Sequence, residues 1–512
     1  MKTLVQIAAV TLLAVVSSTA AEKPNIIVMM ADDLGYGDLS CYGATVFKTP
    51  NIDKLAAQGQ RFTSGYCSAS TCTPTRFSLL TGTYAFRAKN TGIAPPNGPA
   101  IIRPGTTTLP SLLQQAGYRT AVIGKWHLGL GDKAPDWNGD LKPGPLEIGF
   151  HECFMLPTTN DRVPQVYVEN HKVLNLDPAD PLTVSEKPID PNEPTGISAR
   201  DTLKMDWTHG HNGTIHNGIS RIGFYTGGKA ARFRDEDLAD KWIGKSKAYI
   251  AANKDKPFFL FFAAHDIHVP RIPHERFQGK SGTGLRGDSI LQFDWCVGEI
   301  MAALDEHKLT ENTLVVLCSD NGPVLDDGYK DGSVTELGKH EPAGPFTGGK
   351  YTVYEGGTRT PFITRWPGDI PPGVSDQLVC TIDLAASFAA LTGVPLPEDA
   401  CLDSINILSA LLGKNDGTGR DELVQQDNGT KGKNADFGFR SGDWKLIRRT
   451  TKYQQPAKIS KRPLPELKDL HALYFLPEDP EERKDAGKEN PEMLKEMIER
   501  LDAIIAAGRT RS

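Results

Sequence analysis

Short apolar runs rich in branched and aromatic side chains recur along the chain: Pro24–Met30 (PNIIVMM), Tyr118–Ile123, Pro257–Ala264 (PFFLFFAA), Thr313–Ser319 (TLVVLCS) and Pro361–Trp366. They are continuous rather than alternating, which predicts strands buried on both faces. Between them lie helical patterns. Asn51–Gln58 is closed by Gly59, Leu109–Ala116 is stopped by Gly117, and longer stretches fall around Arg234–Asn253 and Ser289–Glu306. Strands alternating with helices predict an α/β domain with a mostly parallel central sheet flanked by helices.

Two regions depart from this rhythm. Residues from about Pro157 to Arg234 are rich in Pro, Asn, Asp, Gly and His and show little periodicity, the character of a long functional or irregular segment. Beyond about Gly413 the texture changes again: Phe437–Arg449 predicts a hairpin turning at Ser441-Gly442-Asp443, and Pro491–Ala507 predicts a helix with apolar Met493, Met497, Leu501, Ile504 and Ile505. The expected organisation is a large α/β domain over 22–412 and a small C-terminal α+β subdomain over 413–512.

The first 21 residues stand apart. Lys2, an apolar run from Leu4 to Val16 and the small residues Ser17 to Ala21 predict a secretory signal peptide cut near Ala20 or Ala21. The apolar run is short of the roughly 20 residues a spanning helix needs, so the expectation is an exported protein, periplasmic or secreted, without stable membrane insertion. A net charge of −6 gives no reason to expect a nucleic-acid partner. The eight cysteines are scattered, with no Cys-x-x-Cys pair, so disulfides are not what holds this fold together.

Polar clusters follow the strand-like runs: Asp32-Asp33 after the first, Gly124-Lys125-Trp126-His127 after the second, His265-Asp266-Ile267-His268 after the third and Asp320-Asn321-Gly322 after the fourth. Ligands in open α/β sheets bind beyond the carboxyl ends of the strands, so one shared site is expected. Asp32-Asp33 and Asp320-Asn321-Gly322, each taken alone, read as turns that follow a strand. His265 and Asp266 either line a substrate pocket or cap the strand.

Cys72-Thr73-Pro74-Thr75-Arg76, in company with these clusters, resembles the motif of the type I sulfatases of the alkaline phosphatase superfamily. The resemblance implies an alkaline phosphatase-like sheet and hydrolysis of sulfate monoesters. It implies that a separate formylglycine-generating enzyme oxidises Cys72 to formylglycine, whose hydrated aldehyde is the nucleophile. It implies that Asp32, Asp33, Asp320 and Asn321 hold a divalent cation, with position 72 a further ligand; three carboxylates and an amide oxygen form a hard shell suited to Ca²⁺, less so Mg²⁺, and poor for zinc. It also implies active-site roles for Arg76, Lys125, His127, His268 and Lys350, the last within Gly349-Lys350-Tyr351-Thr352-Val353-Tyr354-Glu355-Gly356-Gly357. By the same resemblance His268 protonates the departing alcohol, His127 acts as base, and Arg76, one helical turn past Cys72, holds the nucleophile's oxygen. A hydroxyl near the cation falls at Thr158 or Thr159.

The polar 157–234 segment, with Asn160, Asp161, Arg162, Trp207, His209, His211 and Asn212, favours a sulfated sugar over an apolar substrate. Asn160, Asp161, Arg162 and His265 are the substrate-binding candidates. The alternatives are a phosphodiesterase or phosphonate monoester hydrolase of the same superfamily, and an inactive glycan-binding relative.

Overall fold

All seven residues of the first strand, Asn25–Ala31 (β1), are buried. Ile26, Val28 and Met30 join one apolar cluster; Ile27, Met29 and Ala31 join another on the opposite face. The two-residue period of a strand thus feeds two separate cores, as the continuous apolar run requires. These coordinates are a computed structural model that describes residues 23–414, 416–428, 435–450, 461–466 and 469–511. The leader read at residues 1–21 lies outside the described residues.

The large sheet contains β1 with Gln60–Tyr66 (β2), Arg119–Lys125 (β3), Glu152–Leu156 (β4), Val168–Glu169 (β5), Lys172–Val173 (β6), Phe258–Ala263 (β7), Thr313–Ser319 (β8), Phe362–Arg365 (β9) and Gly373–Cys380 (β10). Their order is β10-β2-β9-β8-β1-β7-β3-β4-β5-β6. The five central strands β8-β1-β7-β3-β4 run parallel, so their carboxyl ends form one continuous rim. The antiparallel β9 then joins β8 to the β2–β10 pair.

Helices cover both faces. Cys72–Thr81 (α2), Leu109–Gln115 (α3) and Leu384–Thr392 (α6) contribute Leu79, Leu112, Leu113 and Phe388 to one core. Pro50–Ala57 (α1), Leu238–Asn253 (α4) and Gly284–Glu306 (α5) contribute Ile52, Leu55, Trp242, Ile290 and Ile300 to the other. The capping chemistry is local. Thr108 accepts from Ser111 N at 3.2 Å at the start of α3, and Asp294 of α5 accepts from Ile52 N at 2.9 Å at the start of α1.

Glu422–Gln426 (β11), Phe437–Ser441 (β12), Trp444–Arg448 (β13) and His471–Phe475 (β14) form a separate antiparallel sheet in that order. Ser441 pairs with Trp444, which leaves Gly442-Asp443 as a two-residue turn with Gly442 at φ 55°. Helix Pro491–Ala507 (α7) packs Met497, Leu501 and Ile504 against Phe437, Leu446 and Leu473.

A buried ionic cluster joins the two sheets. Glu355, in the helical turn Glu355–Thr358, accepts from Lys445 Nζ of β13 at 2.8 Å and from Tyr66 OH of β2 at 2.5 Å. Lys445 also lies 2.9 Å from Glu482, which accepts from Glu355 N at 2.6 Å. Burial opposes the charge on Glu355, but Lys445 and Arg359 outweigh it and hold its pKa down to about 2. Burial pushes Glu482 up to about 7, with Lys445 offsetting part of the rise. Among the described residues, no helix is long and apolar enough to cross a membrane, and all eight cysteines are free thiols.

Candidate active site

The rim above β8-β1-β7-β3-β4 carries, in that spatial order, Asp320-Asn321, Asp32-Asp33, the 265–268 segment, Lys125 with His127, and the loop 158–162. Close approach of β3 and β7 depends on Gly124. At φ 117°, a Cβ there would sit 1.9 Å from Ala263 O. Helix α2 brings Cys72 to the rim from one side, wholly buried along its length. It ends at Gly82 (φ 60°), where a Cβ would meet Cys401 Cβ at 2.7 Å.

Asp32, Asp33, Asp320 and Asn321 converge. Asn321 Nδ2 donates to Asp33 Oδ1 at 2.7 Å, and Asp33 N donates to Asp320 Oδ1 at 3.3 Å. Oxygens of Asp32 and Asp33 and a ring nitrogen of His268 lie within 4.8 Å of one another. Asp32 Oδ1 and Asn321 Oδ1 are buried without a hydrogen-bond partner. Such orphaned oxygens are costly unless something else satisfies them, and a hard cation would. The donor set is all oxygen and fits a calcium-like ion.

Three cations answer the three carboxylates. Lys125 Nζ pairs with Asp32. Lys350 Nζ donates to Asp33 Oδ2 at 3.0 Å. Arg76 donates to Asp320 Oδ2 through Nε at 3.0 Å and Nη2 at 2.8 Å, and to Lys125 O through Nη1 at 3.0 Å. Three of its five N–H groups thus meet a rim carboxylate and a strand carbonyl, which fixes the guanidinium against Asp320. Burial, then the Asp320 charge, push Asp32 well up. Burial opposes the charge on Asp320, but Arg76, Lys125 and Lys350 together outweigh it and hold its pKa down. Three against three balances, so a divalent ion would leave the cluster positive, the polarity an anionic ester needs.

His127 Nδ1 lies 3.2 Å from Cys72 Sγ, and its Nε2 lies 3.2 Å from Ala94 O. Because a carbonyl can only accept, Nε2 carries the proton and Nδ1 faces position 72 bare. Burial, with Lys125 next, holds the ring neutral well below the usual histidine range. His268 donates through Nδ1 to Val269 O at 2.7 Å, which leaves Nε2 for the site. Burial, then Lys350 and Lys125, depress its pKa too. Burial raises the Cys72 thiol despite the two lysines nearby.

The remaining candidates divide. Asp161 and Arg162 pair at 3.1 Å at the opening, and the Arg162 charge is felt at Cys72, Asp327 and Tyr351. His211 Nε2 meets Asp161 Oδ2 at 2.9 Å. Asn160 donates Nδ2 to His268 O at 3.3 Å and Pro270 O at 3.2 Å, bracing the His268 loop, while its Oδ1 is buried without a partner. His265 accepts from Trp242 Nε1 at 3.1 Å, and Asp266 accepts from Gln292 of α5. The pair therefore caps the strand against the helices. Thr159 donates to Asp161, while Thr158 donates to Arg162 O at 3.1 Å, so both serve their own loop. Trp207 and His209 are likewise engaged locally, Trp207 with Gly196 O and His209 with Thr208.

Two residues at the opening escaped the sequence reading. Asp327 Oδ2 accepts from Lys350 Nζ at 2.9 Å, and Asp327 Oδ1 accepts from Tyr351 OH at 2.9 Å. Asp326-Asp327-Gly328 reads as an ordinary turn. Its position shortly after Asp320-Asn321 on the same strand exit was the available signal.

Among known proteins, a family model described as Sulfatase matches residues 24–394, and one described as N-sulphoglucosamine sulphohydrolase, C-terminal, matches residues 348–507. An N-acetylgalactosamine-6-O-sulfatase of Bacteroides thetaiotaomicron is 48% identical over 489 residues, covering 94% of this chain and 93% of the relative. Arylsulfatase A of Homo sapiens is 34% identical over 397 residues, covering 77% of this chain and 68% of the relative. A solved structure from work on the metabolism of multiple glycosaminoglycans by Bacteroides thetaiotaomicron superposes with a TM-score of 0.90 at 47% identity, covering 95% of this chain and 100% of that one.

Proposed function

The chain belongs to the type I sulfatase family and hydrolyses sulfate esters, and on that premise we propose that its substrate is a 6-O-sulfated N-acetylgalactosamine or a closely related sugar. The nucleophile is carried by formylglycine made from Cys72 by a maturation enzyme. Asp32, Asp33, Asp320 and Asn321 hold one calcium ion. The observation that carries this reading is His127 Nδ1, stripped of its proton by the Ala94 contact and set 3.2 Å from the Cys72 side chain, beside four converging oxygen ligands.

A calcium ion there would supply fixed positive charge opposite the sulfate oxygens. The chain's own residues do the rest. Lys125 and Lys350 add preorganised positive charge in a dry site. Arg76 holds Asp320 and orients the ligand set. His127 receives a proton from the group at position 72. His268 gives one to the departing sugar oxygen from Nε2. Burial and the lysines depress the His268 pKa in the free protein, and the negative charge of a bound sulfate acts in the opposite sense. Asp161, Arg162, His211 and Asp327 ring the opening with donors and acceptors suited to sugar hydroxyls. The 48% identity to the N-acetylgalactosamine-6-O-sulfatase over 94% of this chain supports the sugar, and the leader read from Lys2 to Ala21 supports export to where such glycans occur.

The test is sulfate release from N-acetylgalactosamine sulfated at O6 or at O4, from 6-O-sulfated N-acetylglucosamine, from an aryl sulfate, and from choline and steroid sulfates. It is run before and after chelation with calcium add-back, alongside mass spectrometry of the Cys72 peptide. Preference for the 6-O-sulfated galactose-type sugar, loss on chelation and a peptide carrying the aldehyde are expected. Best activity on choline or steroid sulfate, or an active enzyme with unmodified Cys72, would refute the reading.

A further inference from the structure

Tyr351 is held at φ 73°, in the left-handed region where a bulky side chain costs backbone energy and glycine does not. Its N–H donates to Ser70 O at 2.9 Å, which ties it to the segment leading into Cys72. Its hydroxyl donates to Asp327 Oδ1 at 2.9 Å, while the preceding Lys350 donates to Asp327 Oδ2 at 2.9 Å. Consecutive residues of an extended chain point to opposite sides. Here residues 350 and 351 grip the two oxygens of one carboxylate, and the left-handed backbone at Tyr351 accompanies that arrangement. The Asp327 side chain keeps 14% of its surface exposed and, like Cys72, lies close enough to Arg162 to interact with its charge.

We propose that Tyr351 is a positioning residue for sugar recognition: its phenol locks the Asp327 carboxylate so that each oxygen keeps a lone pair aimed at a substrate hydroxyl. The proposal rests on the sulfated-sugar reading above. Lys350 alone would let the carboxylate turn about its single contact. With Tyr351 on the other oxygen the plane is fixed, and a sugar hydroxyl meets an acceptor that needs no reordering on binding. An aryl sulfate has no hydroxyl to offer Asp327, so the device acts on one substrate class and not on the chemistry.

The experiment compares mature wild type, Tyr351→Phe, Asp327→Asn and the double variant, on 6-O-sulfated N-acetylgalactosamine and on an aryl sulfate, with thermal melts of each. Tyr351→Phe is expected to lower kcat/KM on the sugar about tenfold, mostly through KM, which is the worth of one good hydrogen bond to a carboxylate. The loss on the aryl sulfate is expected to be several-fold smaller. The double variant is expected to be no worse than Asp327→Asn alone, because the tyrosine acts through the aspartate. Wild-type behaviour of Tyr351→Phe on the sugar, or equal losses on both substrates, overturns the proposal. If Tyr351→Phe melts early, Asp327→Asn carries the test, and equal losses on both substrates again overturn it. A wild type that releases sulfate from the aryl ester but not from any sugar overturns the substrate reading first, and is told apart from these outcomes by the wild type alone.

Discussion

Replacing Arg76 by alanine removes a guanidinium that is fully buried and makes three hydrogen bonds, two to Asp320 Oδ2 and one to Lys125 O. It also removes one of the three cations that face Asp32, Asp33 and Asp320. Breaking a buried ion pair by deleting one partner costs about 3–5 kcal/mol, because the other charge stays buried and uncompensated. With an unfolding entropy of about 2.1 cal/mol/K per residue over a chain of this length, one kcal/mol is worth about 1 °C. Arg76→Ala should therefore melt roughly 4 °C below wild type in chelator. A calcium ion between the same carboxylates supplies the missing positive charge, so the gap should narrow as calcium is added. Binding to the folded state itself raises both melting points. The assay is differential scanning fluorimetry of both proteins across a calcium titration, which needs no turnover. Equal melting points in chelator, or a gap that stays constant up to saturating calcium, would refute the reasoning.

His268→Ala should slow release of sulfate from sugar alcohols by about 10²–10⁴ and hurt activated aryl sulfates far less; equal losses on both would show that the histidine only binds or orients. Glu482 supplies a pH prediction with a definite sign. Its pKa is raised from an ordinary 4.5 to about 7, so its contribution to stability is present below pH 4.5 and lost as pH rises through 7. Glu482→Gln, permanently neutral, escapes that loss. Its melting point should exceed that of wild type above pH 7, with the gap closing toward pH 5, and parallel melting curves across that range would show that the carboxyl does not titrate there.

Where a residue's environment follows from its own neighbours in sequence, the chain was readable. The apolar runs that became β1, β7 and β8 are buried on both faces whatever surrounds them, so their hydrophobicity alone announces them. The residues directly after a parallel strand must lie on the rim, which is why Asp32, Asp33, Lys125, His127, His268, Asp320 and Asn321 were found from position. Strand β10 was missed because its first half, Gly373-Val374-Ser375-Asp376, lies at a sheet edge, where one side of the strand has no apolar demand. The partners of Asn160 and His265 were not legible because the same side-chain chemistry serves a sugar hydroxyl or a neighbouring group of the protein equally well. Which of these is in reach depends on His268 and Trp242, distant in sequence. Tyr351 and Asp327 were silent for a related reason: a turn aspartate acquires meaning only when Lys350 and Tyr351 fold onto it. The Arg76–Asp320 pair was not legible, since α2 and β8 meet only in three dimensions.

The pairing of β2 has a consequence in time. That strand leads directly into the Cys72 helix, and its neighbours in the sheet are β9 and β10, about 300 residues further along the chain. In the finished fold Cys72 is 1% exposed and out of reach of any second protein. A chain emerging from the ribosome at about 5–20 residues per second leaves β2 without its partners for tens of seconds. Throughout that interval the cysteine sits in an unfinished, open segment. The sheet order thus acts as a clock, and any enzyme that must chemically alter Cys72 has that long to reach it before the last strands arrive and shut it in.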